Sequence, residues 1–268
     1  MKLLVAAHDA GGANQLIYRF RGTKEADFFL TGPAAFIADS IKLNYSSSLD
    51  LNQIRKYDLV YVGSNSKPQL SDRILSAALS QEIETVGVLE HWVNYSTRWD
   101  VHPDRVEVQD IRAFVGGLYT FGLRIRLSRN YYLQFLKSKV KSHAQENDGL
   151  LVILQLLGDE FVHAESNSCF CSGIENFVGL IPGISRITLR EHANTPSALC
   201  VEYLSKSLNK TVTVSGLNKP IEDDLLMNGF VLGLDSYALY LARRLGKQVF
   251  SISEKRRSWF APKYQVLP

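Results

Sequence analysis

The sequence predicts an α/β protein built from two Rossmann-like domains whose parallel sheets face each other across a cleft. Three observations lead there. Short apolar runs alternate with amphipathic stretches from end to end, the signature of parallel strands joined by helices. The polar stretch SHAQENDG (Ser142–Gly149) interrupts that alternation once. Directly after it, LLVILQLL (Leu150–Leu157) is apolar at all but one position, as suits a central strand covered on both faces. The expected domains are therefore 1–145 and 146–268.

In the first domain, Lys2–Ala7 is expected as a strand and Ala13–Phe20 as the helix after it. Asp27–Leu30 is a strand closed by Thr31-Gly32, and Pro33 suits the first turn of a helix to Ile41. Leu51–Lys56 is a short helix before the strand Asp58–Val62. A helix begins at Ser66-x-Pro68 and runs to about Gln81, with Leu70, Ile74, Ala77 and Ala78 at helical spacing. Strands follow at Glu84–Leu89 and Arg105–Val108, a helix at Asp110–Leu118, a strand at Arg124–Leu127 and a helix at Asn130–His143. The second domain repeats the cycle. Helices are expected near Ser168–Leu180 and at Pro196–Leu208, Pro220–Met227 and Ser236–Leu245. The strands are Arg186–Arg190, Thr211–Val214, Phe230–Leu234 and Gln248–Ile252. The tail from Glu254 is expected to cross back onto the first domain.

Composition excludes several classes. The chain of 268 residues is 46% hydrophobic and 21% charged, which is ordinary for a globular protein. A net charge of +3 is too small to argue for a nucleic-acid partner. The start, MKLLVAAHDAGG, is too short in apolar residues for a signal peptide or a span, so any membrane association is expected to be peripheral at most. Three cysteines, Cys169, Cys171 and Cys200, lack zinc-ligand spacing; reduced buried thiols, and with them a cytoplasmic location, are the expectation.

Four stretches hold residues suited to chemistry. In VLGLDSYALYLARRLG, a strand hands over to a helix through Gly233, Asp235 and Ser236. Helix N-termini at strand tips hold anions, although Ser236 also fits an ordinary cap. In RITLREH, alternation projects Arg190 and His192 the same way, an arginine fork and an imidazole suited to phosphate. In AAHDAGGANQL, His8 and Asp9 end the first strand. Gly11 and Gly12 let a ligand approach backbone, Asn14 follows them, and Asp9 suits a general base or a helix cap. In GVLEHWVNYSTRW, Glu90, His91, Trp92, Asn94, Tyr95 and Arg98 crowd together. Aromatic faces beside carboxylate, amide and guanidinium groups suit a sugar.

Together, HDAGGANQL, LEHWVNYSTRW, ITLREH and GLDSYALYLARRLGKQVFSI resemble bacterial surface-polysaccharide proteins of GT-B glycosyltransferase-like architecture. The last two elements also look like the nucleotide-binding elements of sialyltransferases that use CMP-activated sugars. The resemblance implies that Arg190, His192 and Ser236 hold the nucleotide, and that His8, Asp9, Glu90 and His91 face the reacting centre. The chain departs from the pattern at Glu90, where relatives carry Asp, and at Ala193, where they carry Pro. The resulting expectation is a glycosyltransferase that moves a sugar from a CMP- or UDP-sugar to a glycan or glycolipid acceptor. A nucleotide-sugar epimerase or hydrolase, or a non-catalytic binding protein, are the alternatives on the same architecture. No cofactor and no metal are expected: Asp223-Asp224 comes closest to a metal motif, but adjacent helical residues diverge.

Overall fold

A computed structural model describes residues 1–65, 69–90, 98–140, 148–154, 164–191, 198–216, 219–233, 236–251 and 265–266. The chain divides into two compact units, the first comprising Met1–Phe135 and the second beginning at Leu136. The boundary expected between residues 145 and 146 lies outside the described residues.

The first unit is a parallel sheet of β1 (Leu3–Ala7), β2 (Ala26–Leu30), β3 (Leu59–Gly63), β4 (Glu84–Leu89), β5 (Arg105–Val108) and β6 (Ile125–Leu127), in the order β2-β1-β3-β4-β5-β6. Strands β1 and β3 are buried at every residue because neighbours flank them on both edges and helices cover both faces. The helices are α1 (Ala10–Phe20), α2 (Gly32–Ser40), α3 (Gln69–Leu79), α4 (Ile111–Phe121) and α5 (Tyr131–Val140). Tyr18 of α1 packs against Tyr132 and Phe135 of α5, which ties the two helices together. A partly buried ion pair between Arg19 and Glu107 (2.5 Å) joins α1 to β5.

The second unit is also a parallel sheet. Its strands are β7 (Gly149–Ile153), β8 (Arg186–Arg190), β9 (Thr211–Ser215), β10 (Phe230–Gly233), β11 (Gln248–Ser251) and β12 (Gln265–Val266), in the order β12-β11-β10-β7-β8-β9. Its helices are α6 (Ala164–Leu180), α7 (Ala198–Ser207), α8 (Ile221–Met227) and α9 (Tyr237–Arg244). One face of the sheet packs Leu150, Val152, Ile187, Leu189 and Leu232 against Ile174, Phe177 and Leu204. Helix α9 ends as its sequence predicts: Gly246 takes a left-handed φ of 81°, and the Lys247 N–H returns to the Ala242 carbonyl.

Both units are Rossmann-like, as the alternation of the sequence predicts, and each strand order reverses direction once. The reversal falls between β1 and β3 in the first unit and between β7 and β10 in the second. One expectation needs correction. Cys171 is disulfide-bonded, so the argument from reduced thiols to a cytoplasmic location falls. The tail from Glu254 lies outside the described residues except for Gln265–Val266, which pair with β11 of the second sheet. No helix among the described residues is long and apolar enough to cross a membrane.

Candidate functional site

In open α/β sheets, ligands sit beyond the carboxyl ends of the strands where the strand order reverses. In the first unit that point joins the tips of β1 and β3, with β4 beside them. Four of the predicted residues lie here: His8 and Asp9 after β1, Gly11 in the first turn of α1, and Glu90 after β4. Sequence reasoning missed a fifth member, Ser64. It follows β3 directly, is fully buried, and its Oγ donates to Glu90 Oε2 at 2.5 Å. Its signal was the strand end Val62-Gly63, since strand tips at this point of the sheet carry ligands.

The glycines set how tightly these groups assemble. A Cβ on Gly12 would lie 2.9 Å from Gly63 Cα and 3.1 Å from the Ser64 nitrogen, so the start of α1 rests on the backbone of the β3 tip. A Cβ on Gly11 would lie 2.5 Å from Glu90 Cγ; the missing side chain is the space that Glu90 occupies. Asn14, one turn further along α1, is buried.

Asp9 holds the N-cap position of α1, yet its side chain makes no capping hydrogen bond. The carboxylate therefore has an orientation other than the plain cap that the sequence also allowed. His8 is positioned from α2. Its Nδ1 is 2.9 Å from Thr31 Oγ1, its carbonyl accepts from the Ala34 N–H, and its ring fills the space beside Gly32. His8 Nε2 lies 4.0 Å from Asp9 Oδ1.

The electrostatics of Glu90 differ from those of a surface carboxylate. Burial pushes its pKa above the ordinary value, and the nearby Asp9 charge pushes the same way. The Arg98 charge and the Ser64 hydrogen bond oppose them but do not cancel the shift. Arg98 Nε is buried without a hydrogen-bond partner among the described residues. The cluster thus combines a carboxyl group that holds its proton more readily than usual, a second carboxylate, an imidazole and a guanidinium. Neighbouring titratable groups in unequal environments suit acid–base chemistry. His91, Trp92, Asn94 and Tyr95 lie outside the described residues.

In the second unit the order reverses between β7 and β10, where Gly233 ends β10 and Ser236 begins α9. Ser236 Oγ accepts from the Ala238 N–H at 3.1 Å, so it caps the helix, which leaves its hydroxyl hydrogen as a donor. Gly233 packs closely: a Cβ would lie 3.3 Å from Leu239 Cδ2 and 3.5 Å from the Ile153 carbonyl oxygen. Asp235 and His192 lie outside the described residues.

Arg190 has a role that the sequence did not reveal. Its Nη1 donates to Asp224 Oδ2 at 3.0 Å and to Ser215 Oγ at 3.2 Å. Ser215 Oγ donates to Asp224 Oδ2 at 2.6 Å, and Lys219 Nζ to Asp224 Oδ1 at 3.0 Å. Asp224 is 1% exposed and Arg190 11%. The guanidinium leans toward the outer strand β9, on the side of β8 away from β10 and Ser236. Arg190 ends β8, at the strand tip, and one of its three nitrogens is engaged by a buried carboxylate that pins α8 to β8 and β9.

No family model matches the chain, and no curated protein sequence matches it significantly. Solved structures do. The UDP-GlcNAc 2-epimerase from Neisseria meningitidis bound to UDP-GlcNAc superposes with a TM-score of 0.66 at 13% identity, over 95% of this chain and 83% of that one. The Methanocaldococcus jannaschii UDP-GlcNAc 2-epimerase in complex with UDP-GlcNAc and UDP gives 0.66 at 14% identity, over 95% and 84%. The ADP-heptose lipopolysaccharide heptosyltransferase II of E. coli gives 0.51 at 16% identity, over 100% and 90%. At such identities the likeness is one of fold: a GT-B-like chain of two Rossmann-like domains.

Proposed function

We propose that the protein processes a nucleotide-activated sugar and changes the sugar itself, by epimerisation or hydrolysis. The observation that carries this reading is the Asp9–Glu90 cluster at the strand-order reversal of the first unit. Its two carboxyl groups, one with a raised pKa, are equipped to take a proton from a sugar and return one. In this reading Asp9 is the base and Glu90 the acid, with Ser64 fixing Glu90 and Arg98 offering a donor to the ligand. In this reading the second unit takes the nucleotide at the tips of β7 and β10, with the start of α9 binding phosphate and His192 as the further phosphate ligand that the sequence suggests. Arg190 supports that end through the framework it builds with Asp224. The chemistry needs neither a metal ion nor another cofactor.

A UDP-sugar is favoured over a CMP-sugar, because the similar folds in complex with ligand hold UDP or UDP-GlcNAc. Glycosyl transfer is the second reading, favoured by the likeness to a heptosyltransferase; the same base would then deprotonate an acceptor hydroxyl.

The test is incubation of purified protein with UDP-GlcNAc and related UDP-sugars without acceptor, in deuterated water, followed by NMR. Epimerised or hydrolysed product is expected, with solvent deuterium on the sugar if a C–H bond breaks. Asp9→Asn should lower turnover about 100-fold or more while UDP still raises the melting temperature. Product formed only when a glycan acceptor is added would move the assignment to transfer. Absence of both turnover and a UDP-induced melting shift at millimolar ligand would reject the proposal.

A further inference from the structure

Helix α4 is amphipathic in an unusual sense. Its inner face is made of small residues: Ala113, Gly116 and Gly117 are buried, and Phe121 closes the end against Trp99 and His102. Its large apolar residues point outward. Ile111, Val115, Leu118 and Tyr119 are exposed and share roughly 100° of the helix circumference. Tyr119 is 93% exposed, and two more exposed apolar residues follow in the chain, Leu123 at 96% and Leu127 on the edge strand β6. Large apolar side chains exposed together along one helix face mark an interaction site.

Charge identifies the occupant. Between Ile111 and Arg129 the chain carries Arg112, Arg124, Arg126 and Arg129 and no Asp or Glu. All four arginines are exposed. A second copy meeting this face about a two-fold axis would bring arginines onto arginines, which is unfavourable. A surface that is apolar and also negatively charged matches both features. We infer that the α4–β6 face docks onto the surface of an anionic lipid bilayer. Tyr119, Leu118 and Leu123 enter the headgroup–acyl boundary, and the arginines pair with lipid phosphates. This inference is independent of the reaction proposed above and holds for a transferase or an epimerase alike.

The test is cosedimentation of the full chain with vesicles of phosphatidylcholine alone or with about one-third phosphatidylglycerol. Sedimentation with the anionic vesicles at low salt is expected, with release at high salt as the charges are screened. Arg124→Gln with Arg126→Gln should weaken the partition coefficient about 30-fold, at about fivefold per arginine. Tyr119→Ser with Leu123→Ser should weaken it at least tenfold, at roughly the cost of losing two inserted side chains. The arginine pair lies wholly on the surface, so it keeps the test valid if the apolar pair disturbs folding. Wild-type protein left in the supernatant with both vesicle types would overturn the inference, as would variants that bind like wild type. A dimer in analytical ultracentrifugation that Tyr119→Ser/Leu123→Ser dissociates would assign the face to a second copy instead. Binding to polyglutamate but not to vesicles would assign it to an acidic macromolecule.

Discussion

Removal of the Asp224 carboxylate is the most direct test of how the second unit is held together. Asp224 accepts from Arg190, Ser215 and Lys219, and it is 1% exposed. In Asp224→Ala, the Arg190 charge stays buried without its counter-ion and the Ser215 hydroxyl loses its acceptor. Breaking a buried pair in this way costs about 3–5 kcal/mol. Lys219 adds little to that sum: its side chain is 46% exposed, and an exposed pair is worth at most about 1 kcal/mol. With a urea dependence of about 2 kcal/mol per molar, the unfolding midpoint of the second unit should fall by about 2 M. The assay is urea unfolding followed by circular dichroism, without nucleotide. Asp223→Ala is the matched control, since Asp223 is exposed, and should stay within about 0.5 kcal/mol of wild type. Arg190→Met with Asp224→Leu should recover much of the loss, because an apolar pair pays no desolvation of charge. A loss below about 1 kcal/mol in Asp224→Ala would refute the reasoning.

Three further outcomes follow from the first unit. The raised pKa of Glu90 means that the folded state holds this proton more tightly than the unfolded chain does. The stability this contributes is fully present below the ordinary carboxylate pKa and is lost as pH rises through the folded value. Glu90→Gln, which keeps an acceptor for Ser64, should therefore melt higher than wild type at neutral pH, with the difference vanishing in acid. An equal difference at both pH values would contradict the assigned shift. Gly12→Ala places a methyl group against the backbone of Gly63 and Ser64 and should cost about 1–3 kcal/mol in thermal melts. Gly11→Ala meets only the Glu90 side chain, so it should reduce turnover more than stability.

The elements themselves were legible because each depends on short-range pattern. The all-apolar β7 follows from burial on both faces, the stop of α9 from Gly246, and the alternation of strand and helix from the spacing of apolar residues. The residues at the tips of β1 and β4 were legible as well, because polar residues and glycines directly after a buried strand have few structural uses. The membership of the cluster was not. Ser64 and Glu90 are 26 positions apart and meet only because β3 and β4 are neighbours in the sheet. The outward-facing stripe of α4 was equally hidden: periodicity identifies an apolar face but does not say whether a neighbour covers it.

The amino-acid sequence by itself determined the fold class and which strand ends carry glycines and polar residues, since these rest on local periodicity and strand-end chemistry. Only the tertiary structure decided what those residues do to one another. It brought Ser64 to Glu90, raised the Glu90 pKa by enclosing it beside Asp9, and turned Arg190 toward Asp224 on a helix 34 positions away. The reason is physical: hydrogen bonds and charge interactions act over a few ångströms in space, and the order of strands in a sheet sets which distant residues come that close.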